Sequence, residues 1–493
     1  MRYLVACAIL LGVGGVSLAG VGSAGEGTKA VNPGPILVPL DAVAPAACIT
    51  PEERTAVSEI IEQYRWEYPG SAGNPAPGSL TFFPMGGRLY GDIYTNNFVD
   101  LDPTPGILDW DCTNHSYNGH NGNDTGPRTF SEQLIGVPAY AALDGIVVYS
   151  HDGEYDMNTE CIGTANAVVI DHGGDLYGFY WHLRNGSVAV LEGESVVAGQ
   201  QIGQVASSGC STGPHLHFEL RDQDWFGGTT FEPYTGECHV GESMWEDQRA
   251  IERDIYVGDH GITATELAYW PSYPYRYPND RQFRLDDTNQ YYWHFIHNLP
   301  ASGTNGMRFI RPDGQVAYEY SGTWDYSAPS RYAIWWWYWN ITDMHEIPGT
   351  WSVELIVNHE VLLKMQLEIV QSIDKDFNRA PVSVDIEMHP SSPKADDVIE
   401  CTVLGSLVHD DPDRDLVAYH YEWRVNDIVV RDLTAAAMRD VLPADAAGPG
   451  DTVSVTVTPT DGELYGDSTS AKVHIACEGR WPCRRRRSAR GDR

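Results

Sequence analysis

Two histidines separated by one residue, His215 and His217, are the first residues of this chain whose types and spacing indicate chemistry. The apolar stretch around them predicts a β-strand, and alternate side chains of a strand share one face. A buried imidazole nitrogen without a partner costs roughly 1–3 kcal/mol, whereas neutral imidazole is the commonest metal-binding side chain. The pair therefore predicts a metal site if further ligands lie upstream.

Further ligands are present in two upstream segments. His120 and Asp124 offer an imidazole and a carboxylate four residues apart, and Gly122 between them permits the turn that lets both reach one ion. Another histidine, His182, lies at the end of a β-like run. Three protein ligands with one position left for water is the pattern of a catalytic zinc site.

The order and context of these residues resemble the catalytic domain of the M23 metallopeptidases, the lysostaphin and LytM-like endopeptidases. The resemblance covers residues 119–221, about a fifth of the chain. His120 and Asp124 match the family's HxxxD motif, and His215 and His217 match its HxH motif. The segments between them, such as Val168-Val169-Ile170-Asp171-His172-Gly173, agree in order.

The resemblance also implies roles for the individual residues. His120, Asp124 and His217 are implied to bind one Zn²⁺, and His182, in a Tyr-x-His-Leu context, and His215 are implied to be catalytic. No HExxH motif supplies a helix-borne glutamate base, so His182 and His215 are the candidates for general base and oxyanion stabiliser. The resemblance does not assign either role to one of the two histidines.

Composition agrees with a large exported β protein. The 493 residues are enough for several domains. A net charge of -36 argues against nucleic acid binding through a generally basic surface. Plentiful Gly, Trp and Tyr favour β-rich domains with many turns. We therefore expect a mainly β fold, with an antiparallel zinc peptidase domain built around a groove, two C-terminal β-sandwich-like domains and one short N-terminal helix.

The N-terminal residues predict export. Residues 1–24 have the basic start, apolar run and small-residue end of a signal peptide, although the run is also close to the length of a membrane anchor. No later stretch is long and apolar enough to span a bilayer. We expect a secreted protein, extracellular or in the periplasm and cell envelope, and no stable membrane span.

Eight cysteines remain after the signal peptide, an even number that favours disulfides in an exported protein. We predict the pairs Cys112 with Cys161 and Cys210 with Cys238. Cys401 is expected to pair with Cys477 or to remain free.

The rest of the chain divides by composition into further segments. Residues 25–80 predict a linker and a helix that begins after Thr50, with Glu53 closing a capping box. Residues 81–258 form the predicted M23-like domain, and residues 259–371 an aromatic-rich β domain. The aromatic stripes of the latter either stack on sugar rings or form a sandwich core.

The C-terminal part resembles an Ig-like or PKD-like β-sandwich over residues 379–476 and ends in a basic tail, residues 477–493. The run Asp410–Asp415 offers hard oxygen ligands that suit Ca²⁺, although it also fits a solvated turn.

The leading hypothesis is a secreted zinc metalloendopeptidase that hydrolyses peptide bonds in bacterial peptidoglycan stems or cross-bridges, with Gly-rich peptides as another substrate class. The alternative is a non-catalytic M23-like protein that binds cell wall or activates a partner, with carbohydrate-binding or adhesion β domains. The sequence leaves open whether an N-terminal segment inhibits the enzyme.

Overall fold

The computed structural model describes residues 36–39, 48–67, 80–222, 229–269, 273–405 and 410–476. The predicted signal peptide, most of the predicted linker and the basic tail lie outside these residues. The described chain is mainly β, as predicted. None of its described helices has the length and apolar character needed to cross a membrane.

One strand and one helix precede the first large sheet: β1 (Ile36–Pro39) and α1 (Pro51–Glu67). The helix begins where the sequence predicts, because Thr50 Oγ1 accepts from the Glu53 amide at 3.2 Å and the Glu53 carboxylate accepts from the Thr50 amide at 3.0 Å. Its Val57 and Ile61 side chains are buried. The strand β1 lies within the segment predicted to be a linker.

Residues 80–231 carry one eight-stranded antiparallel sheet, which with α1 we call the N-terminal module. Its elements are β2 (Ile93–Asn97), β3 (Asn123–Pro127), α2 (Phe130–Ile135), β4 (Pro138–Tyr140), β5 (Gly145–His151), β6 (Asn166–Asp171), β7 (Tyr177–Leu183), β8 (Ser195–Val196), β9 (Gln201–Gln204), β10 (Leu216–Arg221) and β11 (Thr230–Phe231). The sheet order is β2-β3-β10-β7-β6-β5-β8 with β11 paired to β10, and β4 pairs separately with β9.

Both faces of the central strands of this sheet are buried. In β6, Val168 and Ile170 face the main core, whereas Val169 faces the side that α1 covers through Val57 and Ile61. Alternate residues of a strand point to opposite faces, so an uninterrupted apolar run produces a sheet buried on both sides. The helix α1 is therefore a structural layer of this module.

The middle module contains two further sheets. Its strands are β12 (Tyr256–Thr263), β13 (Gln282–Arg284), β14 (Gln290–Leu299), β15 (Ser302–Ile310), β16 (Val316–Asp325), β17 (Ser330–Trp339), β18 (Gly349–Val357) and β19 (Glu360–Val370), with 3-10 turns at Leu267–Tyr269 and Thr342–His345. The orders are β1-β17-β14-β12 and β13-β19-β18-β15-β16. The boundary predicted after residue 258 falls inside β12, where Gly258 lies in a bulge.

The aromatic stripes of the middle module form its core. Trp335, Trp337 and Trp339 are 0% exposed and pack between the two sheets. On the opposite face, Trp336 packs in a cluster that includes Tyr94 of β2. Both faces of β17 are covered, so polar residues do not have to alternate with aromatic residues in this run. The structure therefore contradicts the interpretation that these stripes stack on sugars.

The C-terminal module is a β-sandwich, in agreement with the predicted Ig-like resemblance. Its strands are β20 (Asp385–His389), β21 (Ile399–Leu404), β22 (Ala418–Val425), β23 (Ile428–Ala435), β24 (Arg439–Leu442), β25 (Thr452–Thr460) and β26 (Thr469–His474). The orders are β20-β21-β24 and β23-β22-β25-β26. Cys401 is free and buried in the core beside Trp423, and Cys477 lies outside the described residues.

Two aspartates of the run in the C-terminal module pair with arginines. Asp413 pairs with Arg379 at 2.6 Å, and Asp415 pairs with Arg281 at 2.6 Å. These guanidinium groups supply positive charge where the predicted Ca²⁺ would supply it. Carboxylate oxygens of Asp411, Asp415 and Asp461 also lie within 4.8 Å of one another, but Asp415 is already paired with Arg281, so the calcium prediction is unsupported.

The disulfides differ from the predicted pairs. The described residues contain Cys112–Cys238 and Cys161–Cys210. Cys161 and Cys210 are opposed in an isolated antiparallel bridge, and the Cys238 amide donates to the carbonyl of Trp110, close to Cys112. Both predicted pairs are wrong because sequence spacing does not encode which loops meet in space.

Candidate metal centre

The strands β3 and β10 bring the first two predicted ligands together. His217 lies directly opposite Asp124 in their antiparallel pairing, and His217 Nδ1 is 2.8 Å from the Asp124 carboxylate. Gly122 is required nearby, because a Cβ atom at that position would lie 2.7 Å from the His217 ring. The HxxxD spacing therefore works through a glycine that makes room for the HxH histidine.

His120 completes the predicted ligand set. Its Nε2 atom lies 3.2 Å from the Asp124 carboxylate and 3.2 Å from His217 Nδ1. The opposite ring nitrogens face acceptors, since His120 Nδ1 donates to the Phe98 carbonyl at 2.7 Å and His217 Nε2 donates to Glu219 at 3.2 Å. Metal-binding histidines usually donate their second N–H to such acceptors, which fixes the ring and its tautomer.

The two predicted catalytic histidines lie beside this set. His182 Nδ1 donates to the Ser208 carbonyl at 2.7 Å, and His215 Nδ1 donates to the Gly213 carbonyl at 2.9 Å. The Nε2 atoms of both rings are buried without a hydrogen-bond partner. His182 also has a left-handed backbone with φ of 69°, a conformation that costs of order 1–3 kcal/mol and concentrates at functional sites.

The structure thus brings all five predicted residues into one cluster, and none of them is more than 7% exposed. The ring centroids of His182 and His215 are 4.6 Å apart, and His215 Nε2 is 3.7 Å from the Asp124 carboxylate. The cluster is closed to a peptide substrate in this conformation.

Opposite charges balance in this buried place. Burial alone would raise the pKa of Asp124, but the His120 and His215 rings hold it well below its usual range. Burial disfavours a charged His120 ring, yet Asp124 raises the pKa of that ring to about 10. Burial, assisted by the neighbouring His215, lowers the pKa of His182. A divalent cation would replace the protons of the rings as the partner of the carboxylate.

Two residues that the sequence interpretation missed contact the same cluster. Cys48 Sγ lies 3.9 Å from His120 Nε2 and 3.8 Å from the Asp124 carboxylate. The Tyr117 hydroxyl is 2.8 Å from Cys48 Sγ, and the Tyr117 and His120 ring centroids are 4.6 Å apart. The sequence interpretation counted Cys48 among the disulfide cysteines. Its place immediately before the predicted helix was the signal that could have identified it.

The donor set fits zinc. Zn–N distances of 2.0–2.1 Å in a tetrahedral site require about 3.3 Å between two nitrogen ligands. His120 Nε2 and His217 Nδ1 meet that requirement at 3.2 Å. Two imidazoles and one carboxylate are also ligand types that zinc accepts. Within the described chain, ligand atoms of Cys48, His120, Asp124 and His217 all lie within 4.8 Å of one another.

Known proteins resemble the part of the chain that carries this cluster. The model of Peptidase family M23 matches residues 120–230. The chain is 38% identical over 101 residues to the peptidoglycan DD-endopeptidase ShyA of Vibrio cholerae serotype O1, a match that covers 20% of this chain and 20% of ShyA. It is 36% identical over 86 residues to lipoprotein NlpD of Yersinia enterocolitica, covering 17% of this chain and 78% of NlpD. The chain belongs to peptidase family M23.

Among solved structures, the catalytic domain of the prophage-encoded M23 protein EnpA from Enterococcus faecalis is similar to this chain. The identity is 26%, the match covers 30% of this chain and 94% of that domain, and the TM-score is 0.21. The chain spans about a fifth of the length of ShyA, and the residues that match the family model lie within the N-terminal module.

Proposed function

We propose that this protein is an exported zinc endopeptidase that cleaves peptide bonds in the stems or cross-bridges of bacterial peptidoglycan. The observation that carries the proposal is the cluster of His120, Asp124 and His217 beside the unpartnered Nε2 atoms of His182 and His215. The peptidoglycan activity in the name of ShyA supports the substrate class. The disulfides Cys112–Cys238 and Cys161–Cys210 support export, because disulfides persist in oxidising compartments.

The ligand set proposed for the metal is His120 through Nε2, His217 through Nδ1 and the Asp124 carboxylate. A zinc ion held there would polarise the scissile carbonyl and lower the pKa of its bound water toward about 7. His182 and His215 both commit Nδ1–H to a backbone carbonyl, so Nε2 is the atom that each presents to the reaction. One takes a proton from the attacking water, and the other, protonated, donates to the developing oxyanion.

The metal assignment is tested by the zinc content of the purified full-length chain. We expect about one zinc per chain, following the three-ligand pattern. His120→Ala and Asp124→Asn remove a ligand each and should lose the metal. His151→Ala is the matched control, because His151 pairs with Glu154 away from the cluster. Zinc retained at full stoichiometry in both ligand variants would contradict the assignment.

The reaction is tested by digesting purified peptidoglycan and identifying the new termini by mass spectrometry. The digest uses wild type and Cys48→Ser, since Cys48 lies against the site. New amino and carboxyl termini at one type of peptide bond would support the proposal. If both forms hold zinc, yet neither cuts peptidoglycan nor a peptide derived from it, the chain is a non-catalytic wall-binding protein.

A further inference from the structure

We propose that Cys48 supplies a fourth ligand to the metal centre and holds the enzyme in a latent, closed state. The inference rests on the proposed zinc site. Three protein ligands leave one position of a catalytic zinc site for water and substrate. A thiolate in that position would exclude both, so the same chain would carry the enzyme and its inhibitor.

The distances from the sulfur to two of the proposed ligands fit a fourth ligand of the same ion. Zn–S of 2.3 Å and Zn–N or Zn–O of about 2.1 Å give about 3.6 Å between a sulfur ligand and its neighbours. Cys48 Sγ lies 3.9 Å from His120 Nε2, and 3.8 and 4.0 Å from the two Asp124 oxygens. Coordination would release the thiol proton to solvent, because the thiolate is the metal-binding form.

A second, independent observation comes from the catalytic histidines. His182 is 0% exposed and His215 is 7% exposed. The Nε2 atoms of both rings are buried and have no hydrogen-bond partner. The sulfur of Cys48 belongs to their cluster as well as to the ligand cluster, with ligand atoms of each group within 4.8 Å of one another. The thiol therefore lies between the ligands and the catalytic rings, in the place that the reacting groups need.

The other cysteines indicate that Cys48 is kept as a thiol. The described residues contain two disulfides, and among them only Cys48 and Cys401 are free. Cys401 lies in the core of the C-terminal sandwich. In an oxidising compartment an accessible thiol is expected to be oxidised or paired. Cys48, at 2% exposed, is protected by its burial against the metal cluster.

The helix α1 fixes the position of Cys48. Ile49, the residue after the cysteine, is 0% exposed and packs in the same cluster as Phe179 and Trp181. Glu53 closes the capping box with Thr50 and also accepts from the Ala165 amide at 2.8 Å. The residues that directly follow the thiol are thus tied to the sheet, and displacing residues 48–67 is the motion that would open the site.

The first measurement is zinc K-edge X-ray absorption on the full-length protein. We expect one sulfur at about 2.3 Å in the zinc shell of wild type and only nitrogen and oxygen in Cys48→Ser. Cys401→Ser is the matched control, because it removes the other buried free cysteine and should keep the sulfur signal. The wild-type spectrum needs no variant, so a variant that fails to fold does not weaken the test.

The second measurement is hydrolysis of one peptidoglycan-derived peptide by Cys48→Ser and Cys48→Ala. The hydrolysis rate of each variant should exceed that of wild type by at least about tenfold. This is the change expected if fewer than about one wild-type molecule in ten is open at a time. Zinc without a sulfur neighbour would overturn the proposed latch, which is the coordination of the metal by Cys48, while leaving the proposed function intact. Sulfur coordination with equal hydrolysis by wild type and variants would overturn latency. Absence of zinc from both wild type and variants would overturn the proposed function itself.

Discussion

Glu219 contacts His217 at the ring nitrogen that faces away from the metal cluster. Glu219 Oε2 lies 3.2 Å from His217 Nε2, while His217 Nδ1 lies 2.8 Å from Asp124. The carboxylate is fully buried, with Arg221 and Arg54 at 3.3 and 3.9 Å from its other oxygen. Glu219 follows His217 by two residues on β10 and therefore shares its face. Its position fixes which nitrogen of His217 is available as a ligand.

Replacing Glu219 should weaken metal binding without removing a ligand. We expect Glu219→Ala to lower zinc affinity by roughly 10–100-fold, the usual effect of losing an outer-shell partner. Glu219→Gln should lose less, because its amide oxygen still accepts from His217. Competition with a chelator of known affinity measures the change, and Glu192→Ala, an exposed glutamate of the same module, is the control. Equal affinity in wild type and both Glu219 variants would contradict the role.

Variants of the two histidines proposed as catalytic should separate turnover rate from metal content. In a Cys48→Ser background, where the proposed latch is absent, His182→Ala and His215→Ala should each keep about one zinc and slow turnover by roughly 10²–10⁴-fold. The combined variant need not be the product of the two, since groups that act as a unit are not additive. Loss of zinc from either single variant would show that its histidine is a ligand.

The predicted cluster could be found from the sequence because its spacing follows strand geometry. His215 and His217 share a face through the period of two in β10, and the HxxxD pair reaches them through the pairing of β3 with β10. The central strands could likewise be predicted from apolar runs. These features depend either on residues close in sequence or on a motif whose spacing identifies the contact.

Other features depend on contacts that no local pattern encodes. Cys48 meets His120 across 72 residues, and its role follows from the packing of α1 on the sheet. The disulfide partners were wrong for the same reason. In β17, the sequence could not distinguish an exposed aromatic face from a buried one, because that depends on Tyr94 and its neighbours covering the second face.

The contacts of Glu53 that hold the Cys48 segment in place can be tested separately from the thiol. Glu53→Ala should remove the carboxylate half of the capping box and the acceptor of the Ala165 amide, two hydrogen bonds that each contribute about 1 kcal/mol. The segment should then leave the site more often, so hydrolysis should rise, though less than in Cys48→Ser. Alkylation of Cys48 by iodoacetamide, followed by mass spectrometry, should also become faster.

The exposed Glu52 provides the control for that experiment, because Glu52→Ala changes the same turn of α1 without touching the cap. Cys401 serves as an internal reference for the alkylation, since it lies in a different module. If Glu53→Ala and Glu52→Ala give the same alkylation and hydrolysis rates, Glu53 does not anchor the segment.

The C-terminal module contributes directly to the core beside the peptidase sheet. Arg439, 1% exposed, donates to the carbonyls of Phe83 at 2.8 Å and Met85 at 2.7 Å, and it pairs with Glu400 at 2.6 Å. The arginine thus satisfies two backbone acceptors of the N-terminal module from a strand of the sandwich. A buried charge that bridges two modules makes their stabilities depend on each other.

Arg439→Ala should therefore destabilise the protein well beyond the effect of a surface substitution. Removing one partner of a buried pair costs about 3–5 kcal/mol, because the remaining groups stay buried and unpaired. Arg284→Ala is the matched control, since Arg284 and Asp286 form an exposed pair with side chains 52% and 69% accessible, and such pairs contribute about 1 kcal/mol or less. Calorimetric unfolding should show the first transition at a clearly lower temperature for Arg439→Ala than for Arg284→Ala. Equal transition temperatures for the two variants would mean that the sandwich does not stabilise the peptidase sheet through Arg439.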